Sequence, residues 1–355
     1  MAQALRLAEL GLFTTQPNPR VGCVIAHGDD VVGTGWHRRA GEPHAEVFAL
    51  REAGERARGA TAYVTLEPCA HHGRTPPCAD ALIAAGVARV VIAAEDPFPQ
   101  VDGRGMARLR DAGITVESGL MREASRELNG GFFSRIEKGR PFVRLKMAMS
   151  LDGRTALANG ASAWITGEVA RADVQRWRAR SAAILSGSGT VLADNPRLTV
   201  RLPEGEAFQA PLRVVLDREL KVAGAMHVLD GSAPTLLLHA ATESPPAVAL
   251  PGVSYSTAPL NAEGRFDLQA VLALLAARDI NEVHVEAGAR LGGALFAAGL
   301  VDEVLLYVAP VFLGNDARPL LELPRLESMA ERWQMQVVEQ CAMGADWRLR
   351  LRQSA

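Results

Sequence analysis

Two short stretches, His44-Ala45-Glu46 and Pro68-Cys69 with Pro77-Cys78, constrain this chain more than anything else in it. They offer one imidazole, two thiols and one carboxylate that is not needed as a ligand. That is the side-chain set of a catalytic zinc site, which takes three protein ligands and keeps a fourth position open, whereas structural zinc takes four. All four groups flank a single strand-like run, Thr61–Leu66. A fold that uses them together must bring the start of a helix near residue 44 to the loop that follows that strand.

His44 and Glu46 are two residues apart, so they do not share a face of a regular helix. Both reach one ion if they sit in a first turn with the site off the helix end. Gly41-Glu42-Pro43 breaks structure, and Val47, Phe48 and Leu50 then begin an apolar helical stretch to about Arg56. A helix N-terminus also favours thiolates and hydroxide. With His44, Cys69 and Cys78 as ligands, two thiolates cancel the charge of Zn²⁺. Coordination brings the pKa of a bound water towards about 7. Glu46 is then free to take that water's proton and pass it to a leaving amine. The pattern is a variant of the zinc-deaminase signature H-x-E … P-C-x-x-C, with eight residues between the cysteines instead of two. A structural zinc site remains the alternative, with His71 or His72 as a fourth ligand.

At 355 residues the chain exceeds what one core usually holds, so two domains are expected. The boundary is placed at Gly139-Arg140-Pro141, giving residues 1–140 and 141–355. A formal net charge of −2 and 5% aromatic residues give no electrostatic or stacking case for a nucleic-acid partner. Of the four cysteines, Cys23, Cys69, Cys78 and Cys341, two are claimed by the metal, so disulfides are not expected and a reducing cytoplasm fits. The N-terminus reads as an amphipathic helix, not a signal peptide, and no apolar run suggests a membrane span.

In the first domain the patterning predicts strands at 21–26 and 31–36 around His27-Gly28-Asp29-Asp30, then the helix from 44. Further strands are expected at 61–66, 89–94 and 114–118, with helices near 78–86, 105–112 and 121–141. A hairpin followed by β-α alternation argues for a three-layer α/β/α domain. In the second, strands are predicted at 142–149, 182–186, 213–217, 234–239, 282–286 and 303–309. Helices are predicted at 167–180, 267–277 and 290–298, and a closing hairpin spans 333–353. The stretches near 203–211 and 244–252 read as surface loops. Val285–Gly293 is a strand-to-helix turn whose glycines would let backbone amides approach a pyrophosphate, although taken alone the motif is better explained as a tight turn with no ligand. Asp194, Arg197 and Arg201 lie in a loop that could hold a phosphate.

With these motifs assembled, the whole chain closely resembles the bifunctional deaminase/reductase family of riboflavin biosynthesis. The first domain carries Pro17–Gly22, Gly33–His37, His44-Ala45-Glu46 and the run from Glu67 to Cys78. The second carries Lys146–Arg154, Trp164–Gly167, Asp194–Arg201 and Glu286–Gly293. The cysteine spacing separates this family from cytidine and tRNA-adenosine deaminases. One departure is that the chain begins directly at its first helix.

The resemblance implies a cytidine-deaminase-like domain followed by a dihydrofolate-reductase-like α/β domain. It implies hydrolytic removal of the 2-amino group from 2,5-diamino-6-ribosylamino-4(3H)-pyrimidinone 5′-phosphate. Reduction of the ribosyl group with NADPH follows, giving 5-amino-6-ribitylamino-uracil 5′-phosphate. His44, Cys69 and Cys78 match zinc ligands and Glu46 the proton shuttle. Asn18 and His37 match contacts to the pyrimidine or ribose. Ala148, Trp164, Thr190, Asp194 and the turn Gly288, Ala289, Arg290, Leu291, Gly292, Gly293, Ala294 match NADP contacts. Ser162, Arg178, Leu198, Arg201 and Glu286 match substrate contacts, with Arg178 and Arg201 on the phosphate. Lys146 is a candidate for aiding ribose ring opening, or a core-edge lysine. Arg218 and Lys221 are candidates for the 2′-phosphate. A homo-oligomer, dimer or tetramer, is expected, acting on small pyrimidine ribotides with no nucleic-acid or membrane partner. A competing possibility keeps the zinc deaminase but makes the second domain a non-catalytic binding module.

Overall fold

The computed structural model describes residues 1–70, 77–99, 101–162, 164–248 and 250–354. The chain forms two compact units. The first comprises Met1–Gly139 together with Ala207–Gln209, and the second comprises Arg140–Glu206 and Ala210–Ala355. Nothing in the sequence marks residues 207–209, which were expected in a surface loop of the second domain. They join the first unit, where the Gln209 N–H donates to the Phe13 carbonyl at 2.8 Å.

The first unit runs α1 (Ala2–Glu9), β1 (Gly22–His27), β2 (Asp30–Trp36), α2 (Ala45–Ala53), β3 (Thr61–Leu66), α3 (Cys78–Ala85), β4 (Arg89–Ala94), α4 (Arg104–Asp111), β5 (Thr115–Ser118), α5 (Arg122–Leu128) and α6 (Gly130–Lys138). The sheet order is β2-β1-β3-β4-β5. β1 pairs antiparallel with β2 and β3, and β3, β4 and β5 are parallel. The inward residues Cys23, Ile25, Ala62, Val64, Val90 and Ile92 pack with Ala45, Ala49, Leu82 and Leu109 of the helices on one face. α1 covers the other face so closely that a Cβ on Gly22 would lie 1.9 Å from the Ala4 carbonyl oxygen. The parallel strands end on the side where a strand-to-helix loop places functional groups, and Cys69 lies in the loop after β3.

The second unit runs β6 (Phe142–Ser150), β7 (Arg154–Ala156), α7 (Glu168–Arg180), β8 (Ala183–Gly187), α8 (Ser188–Asp194), β9 (Leu212–Leu216), β10 (Thr235–His239), β11 (Val253–Thr257), α9 (Leu268–Ala276), β12 (Glu282–Val285), α10 (Ala289–Ala297), β13 (Glu303–Ala309), β14 (Arg318–Pro319), β15 (Met335–Met343) and β16 (Asp346–Gln353). Its large sheet has the order β11-β10-β9-β8-β12-β6-β13-β16-β15. It is parallel from β11 to β13, and the closing hairpin adds antiparallel β16 and β15. Val143, Leu145 and Met147 of β6 face the core that α9 and α10 cover. Residues of opposite parity, Arg144 and Lys146, point to the other face. There Ala170 and Val174 of α7 pack with Leu305 and Tyr307.

Four elements lie outside the sequence expectation: β7, α8, β11 and the two-residue β14. β7 and α8 are short. β11 reads Val-Ser-Tyr-Ser-Thr, whose hydroxyl residues hide it from a search for apolar alternation. Asp194, expected in a loop, is the last residue of α8.

Candidate active site

His44 is the residue before the first turn of α2, with extended backbone (φ −76°, ψ 167°), so its ring projects beyond the helix end. Cys69 follows β3, and Cys78 is the first residue of α3 after Pro77. The three meet. His44 Nδ1 is 3.3 Å from Cys78 Sγ and 3.7 Å from Cys69 Sγ. The three ligand atoms all lie within 4.8 Å of one another. Zn–S near 2.3 Å and Zn–N near 2.0–2.1 Å at a tetrahedral angle require an N···S separation of about 3.5 Å, which the two distances bracket. The donor set and its spacing therefore fit a zinc ion with one position left over. His71 and His72, the alternative fourth ligands, lie outside the described residues.

The electrostatics suit a cation. Hydrogen bonds from Cys78 bring the Cys69 thiol well below the ordinary thiol range, and the Cys78 N–H contributes at 3.3 Å. The interaction with Cys69 pushes the Cys78 thiol up in turn, with burial adding to it. Glu46, second residue of α2, is 3% exposed. Among the described residues its Oε2 has no hydrogen-bond partner. Burial raises the Glu46 carboxyl above its usual range, partly offset by the His44 ring. A buried carboxyl with one oxygen unpartnered beside a metal-binding triad is poised to hold and release a proton.

Asn18 and His37 stand next to this cluster. The His37 ring packs edge-on to His44 at 5.4 Å. Asn18 Nδ2 is 3.1 Å from His37 Nε2, and His37 Nδ1 is 3.2 Å from the Pro43 carbonyl oxygen. Assigning the roles from that network, Nδ1–H donates to Pro43 and Nε2 accepts from Asn18. Burial lowers the His37 pKa, which keeps the ring neutral in this role.

In the second unit a polar cluster surrounds Glu286, just beyond β12. Arg178 of α7 donates to both its oxygens, at 2.5 and 2.8 Å, and to the Thr199 carbonyl at 2.9 Å. Burial would raise the Glu286 pKa, but Arg178 overrides it and holds the carboxyl well below its usual range. Glu286 and Thr199 take three of the five N–H groups of Arg178, one each on Nε, Nη1 and Nη2. Arg201 has no side-chain partner among the described residues, and burial and the nearby Arg178 and Arg197 lower its pKa. Lys146 shares this neighbourhood. Its Nζ lies 5.9 Å from the Tyr307 ring centre, and burial lowers its pKa.

The glycine turn behaves differently along its length. Gly288 precedes α10, and its N–H donates to Thr190 Oγ1 at 3.2 Å. Ala289, Arg290 and Leu291 form the first turn of α10. Gly292 and Gly293 are buried, and a Cβ on Gly293 would lie 2.1 Å from the Glu322 carbonyl oxygen. Their bareness lets α10 pack closely against the chain at 321–322. Ala294 follows within the helix. Ala148 lies in β6 on the face of Lys146. Ser162 and Trp164 lie before α7, with Trp164 77% exposed and its ring under Arg171.

Asp194 is exposed. Leu198 has its side chain buried in a core cluster with Val191 and Val215, its backbone at φ 48°, and the whole residue 2% exposed. Arg218 and Lys221 share Glu219 as their ion-pair partner, and both side chains remain substantially exposed. Sequence reading assigned no role to Glu67, Asp96 or His284, all buried beside these clusters. A charged residue at the end of an apolar strand is the signal that marks Glu67 and His284.

Comparison with known proteins agrees with this arrangement. Residues 141–349 match the family described as the RibD C-terminal domain, and residues 1–94 match the cytidine and deoxycytidylate deaminase zinc-binding region. The Riboflavin biosynthesis protein RibD of Escherichia coli is 51% identical over 98% of this chain and 96% of its own length. The Haemophilus influenzae protein of the same name is 46% identical over 96% and 93%. Among solved structures, Acinetobacter baumannii RibD superposes with a TM-score of 0.91 at 43% identity, covering 100% of this chain and 98% of that one. A diaminohydroxyphosphoribosylaminopyrimidine deaminase/5-amino-6-(5-phosphoribosylamino)uracil reductase from Thermotoga maritima gives 0.88 at 35% identity, covering 100% and 97%.

Proposed function

This chain belongs to the RibD family of riboflavin biosynthesis proteins, and from that premise we propose how its own residues divide a two-step reaction. It is a bifunctional enzyme, a zinc-dependent deaminase joined to an NADPH-dependent reductase. The deaminase acts on 2,5-diamino-6-ribosylamino-4(3H)-pyrimidinone 5′-phosphate, and the reductase converts the ribosyl group of the product to ribityl.

The convergence of His44, Cys69 and Cys78 beside the buried Glu46, whose Oε2 has no hydrogen-bond partner among the described residues, carries the first assignment. Zinc, when held by those three residues, supplies an acidified water at neutral pH. Glu46 takes a proton from the attacking water through Oε2 and returns it to the departing 2-amino nitrogen. Its raised pKa suits both directions of that transfer. The α2 N-terminus favours the anionic centre. Asn18 and the neutral His37 border the site and bind the pyrimidine ribotide.

In the second unit NADPH supplies a hydride when bound. The Gly288 turn, Thr190, Ala148 and Trp164 line its place, and Glu286, Ser162 and Leu198 border the ribosyl group. Arg201 is the cation for the 5′-phosphate, while Arg178 fixes the orientation of Glu286. Residues 1–140 and 141–355 are the two catalytic domains. Among the described residues no helix is long and apolar enough to cross a membrane. We propose a cytoplasmic homo-oligomer, dimer or tetramer, acting on small pyrimidine ribotides.

The first experiment measures ammonia release from the diamino-pyrimidinone ribotide without NADPH, for the wild type and Glu46→Gln. Release by the wild type that falls by at least about 10³-fold in a zinc-loaded Glu46→Gln protein is the expected result. A zinc-loaded wild type that releases no ammonia overturns the substrate. NADPH oxidation on the deaminated product then tests the second unit, and its absence favours a non-catalytic binding domain.

A further inference from the structure

Helix α4 contributes no metal ligand, yet it touches the supports of both cysteine ligands. Glu67 directly follows β3, two residues before Cys69. Its carboxylate, 4% exposed, accepts three backbone N–H groups. Oε1 accepts from Met106 at 3.1 Å, and Oε2 accepts from Gly103 at 3.1 Å and Asp96 at 3.4 Å. Gly103 precedes α4 and Met106 is its third residue. Gly103 has no side chain with which to cap the helix, so Glu67 reaches across from β3 to do so. An anionic acceptor at a helix N-terminus satisfies donors that have no partner within the helix and opposes the helix dipole.

Two further contacts carry this support onto the ligands. A Cβ on Gly105 would fall 1.9 Å from the Pro68 carbonyl oxygen and 3.2 Å from Glu67 Oε1. The first turn of α4 therefore lies directly on the peptide that leads into Cys69. One turn on, Arg108 Nη2 donates to Asp80 Oδ2 at 2.9 Å. Asp80 is in the first turn of α3, two residues beyond Cys78. The Ala79 N–H donates to the Cys69 carbonyl at 3.2 Å and closes the circuit.

We propose that α4 is a brace setting the separation of the two cysteine ligands, with Glu67 as the positioning residue at its head and Arg108 at its side. The inference rests on the zinc-deaminase reading above. Glu67 does not touch the ion or the reacting atoms. It fixes Pro68-Cys69 against α4, and Arg108 ties the same helix to the first turn that carries Cys78. Partners of this kind behind a metal site commonly change affinity about 10- to 100-fold when lost.

The test uses the full-length zinc protein and its Glu67→Gln and Arg108→Ala variants. Zinc dissociation constants are measured by competition with a chromophoric chelator, and the ligand-field spectrum is recorded after cobalt substitution. Amide hydrogen exchange of β3, β4 and α4 in the same preparation reports that the first unit is folded. Glu67→Gln is expected to weaken zinc binding about 10-fold or more and to shift the cobalt bands. Arg108→Ala, at a half-exposed pair, is expected to weaken it a few-fold. If both variants bind zinc with the wild-type constant and give the wild-type cobalt spectrum, the brace is refuted, whatever happens to their melting temperatures. If Glu67→Gln does not fold, Arg108→Ala alone decides between these outcomes. A wild type that binds no metal at this centre overturns the deaminase reading itself, which is a different result.

Discussion

Asp96 shows how far burial can move one carboxyl group in this protein. Desolvation is the largest cause, and Glu67, Cys69 and Asp102 add to it, while the Phe98 N–H at 2.8 Å partly offsets them. Its pKa rises from an ordinary 3.8 to about 7. The sign follows from proton uptake. Between about pH 4 and pH 7 the folded chain holds a proton on Asp96 that the unfolded chain has lost. The stabilisation is fully present below the unfolded value and is lost as pH rises through the folded one, at up to about 1.4 kcal/mol per pH unit. Asp96→Asn keeps an acceptor for Phe98 and removes the titration. Urea denaturation across pH 4–8 is expected to show a falling stability for the wild type and a flatter profile for Asp96→Asn. Equal slopes would show that Asp96 is ionised throughout. None of this is legible from Asp96 in the sequence, where an Asp beside Pro97 reads as a turn residue. The Glu46 site is different, because His44, Glu46 and the two cysteines announce themselves by chemical type before any contact is known.

At the scale of the element, α2 lies on bare backbone. A Cβ on Gly33 would be 2.2 Å from the Ala49 carbonyl oxygen, and one on Gly35 2.2 Å from that of Ala45. Both glycines are in β2, and the first turn of α2 follows His44 directly. Gly35→Ala must therefore lift the helix end that positions His44 and Glu46. A loss of about 1–3 kcal/mol in stability is expected from overpacking of this kind, with a lower zinc content after dialysis. Denaturation and metal analysis on one preparation check both, and unchanged zinc content would show that α2 can shift without moving His44. The sequence displays the helix and strand separately through their periodicities, with bounds at 61–66 and 89–94 that coincide with β3 and β4. It does not display their spacing, because a glycine in a strand is also compatible with a bulge or a turn. The same holds for Gly292 and Gly293, whose close contact with residues 321–322 is invisible until α10 is docked.

At the scale of the whole molecule, the large sheet of the second unit is stitched by charges from distant parts of the chain. Arg144 on β6 donates to Glu303 on β13 at 2.8 Å and to Glu282 on β12 at 3.2 Å. Arg350 and Arg352 on β16 reach the second oxygen of Glu303 at 2.7 and 2.9 Å. Burial would raise the Glu303 pKa, but Arg144 and Arg350 overcome it and hold the carboxyl well below its usual range. Removing a buried charge strands its partners. Glu303→Gln is expected to destabilise the second unit by about 3–5 kcal/mol, read as a lower urea midpoint for loss of NADPH oxidation. A change under about 1 kcal/mol would mean that water reaches these arginines. Alternating α and β patterns, the metal-binding residue types and Glu46 were legible in the sequence alone, because each depends on residue chemistry and short-range periodicity. Chain length gave the expectation of two domains, but the return of residues 207–209 to the first unit was not legible there. Only the tertiary structure decided that Arg178 clasps Glu286, that Glu67 caps α4, and that Arg218 and Lys221 share Glu219. The physical reason is that a buried polar group must find a partner. Which partner it finds depends on which strands and helices become neighbours, and no local pattern along the chain records that choice.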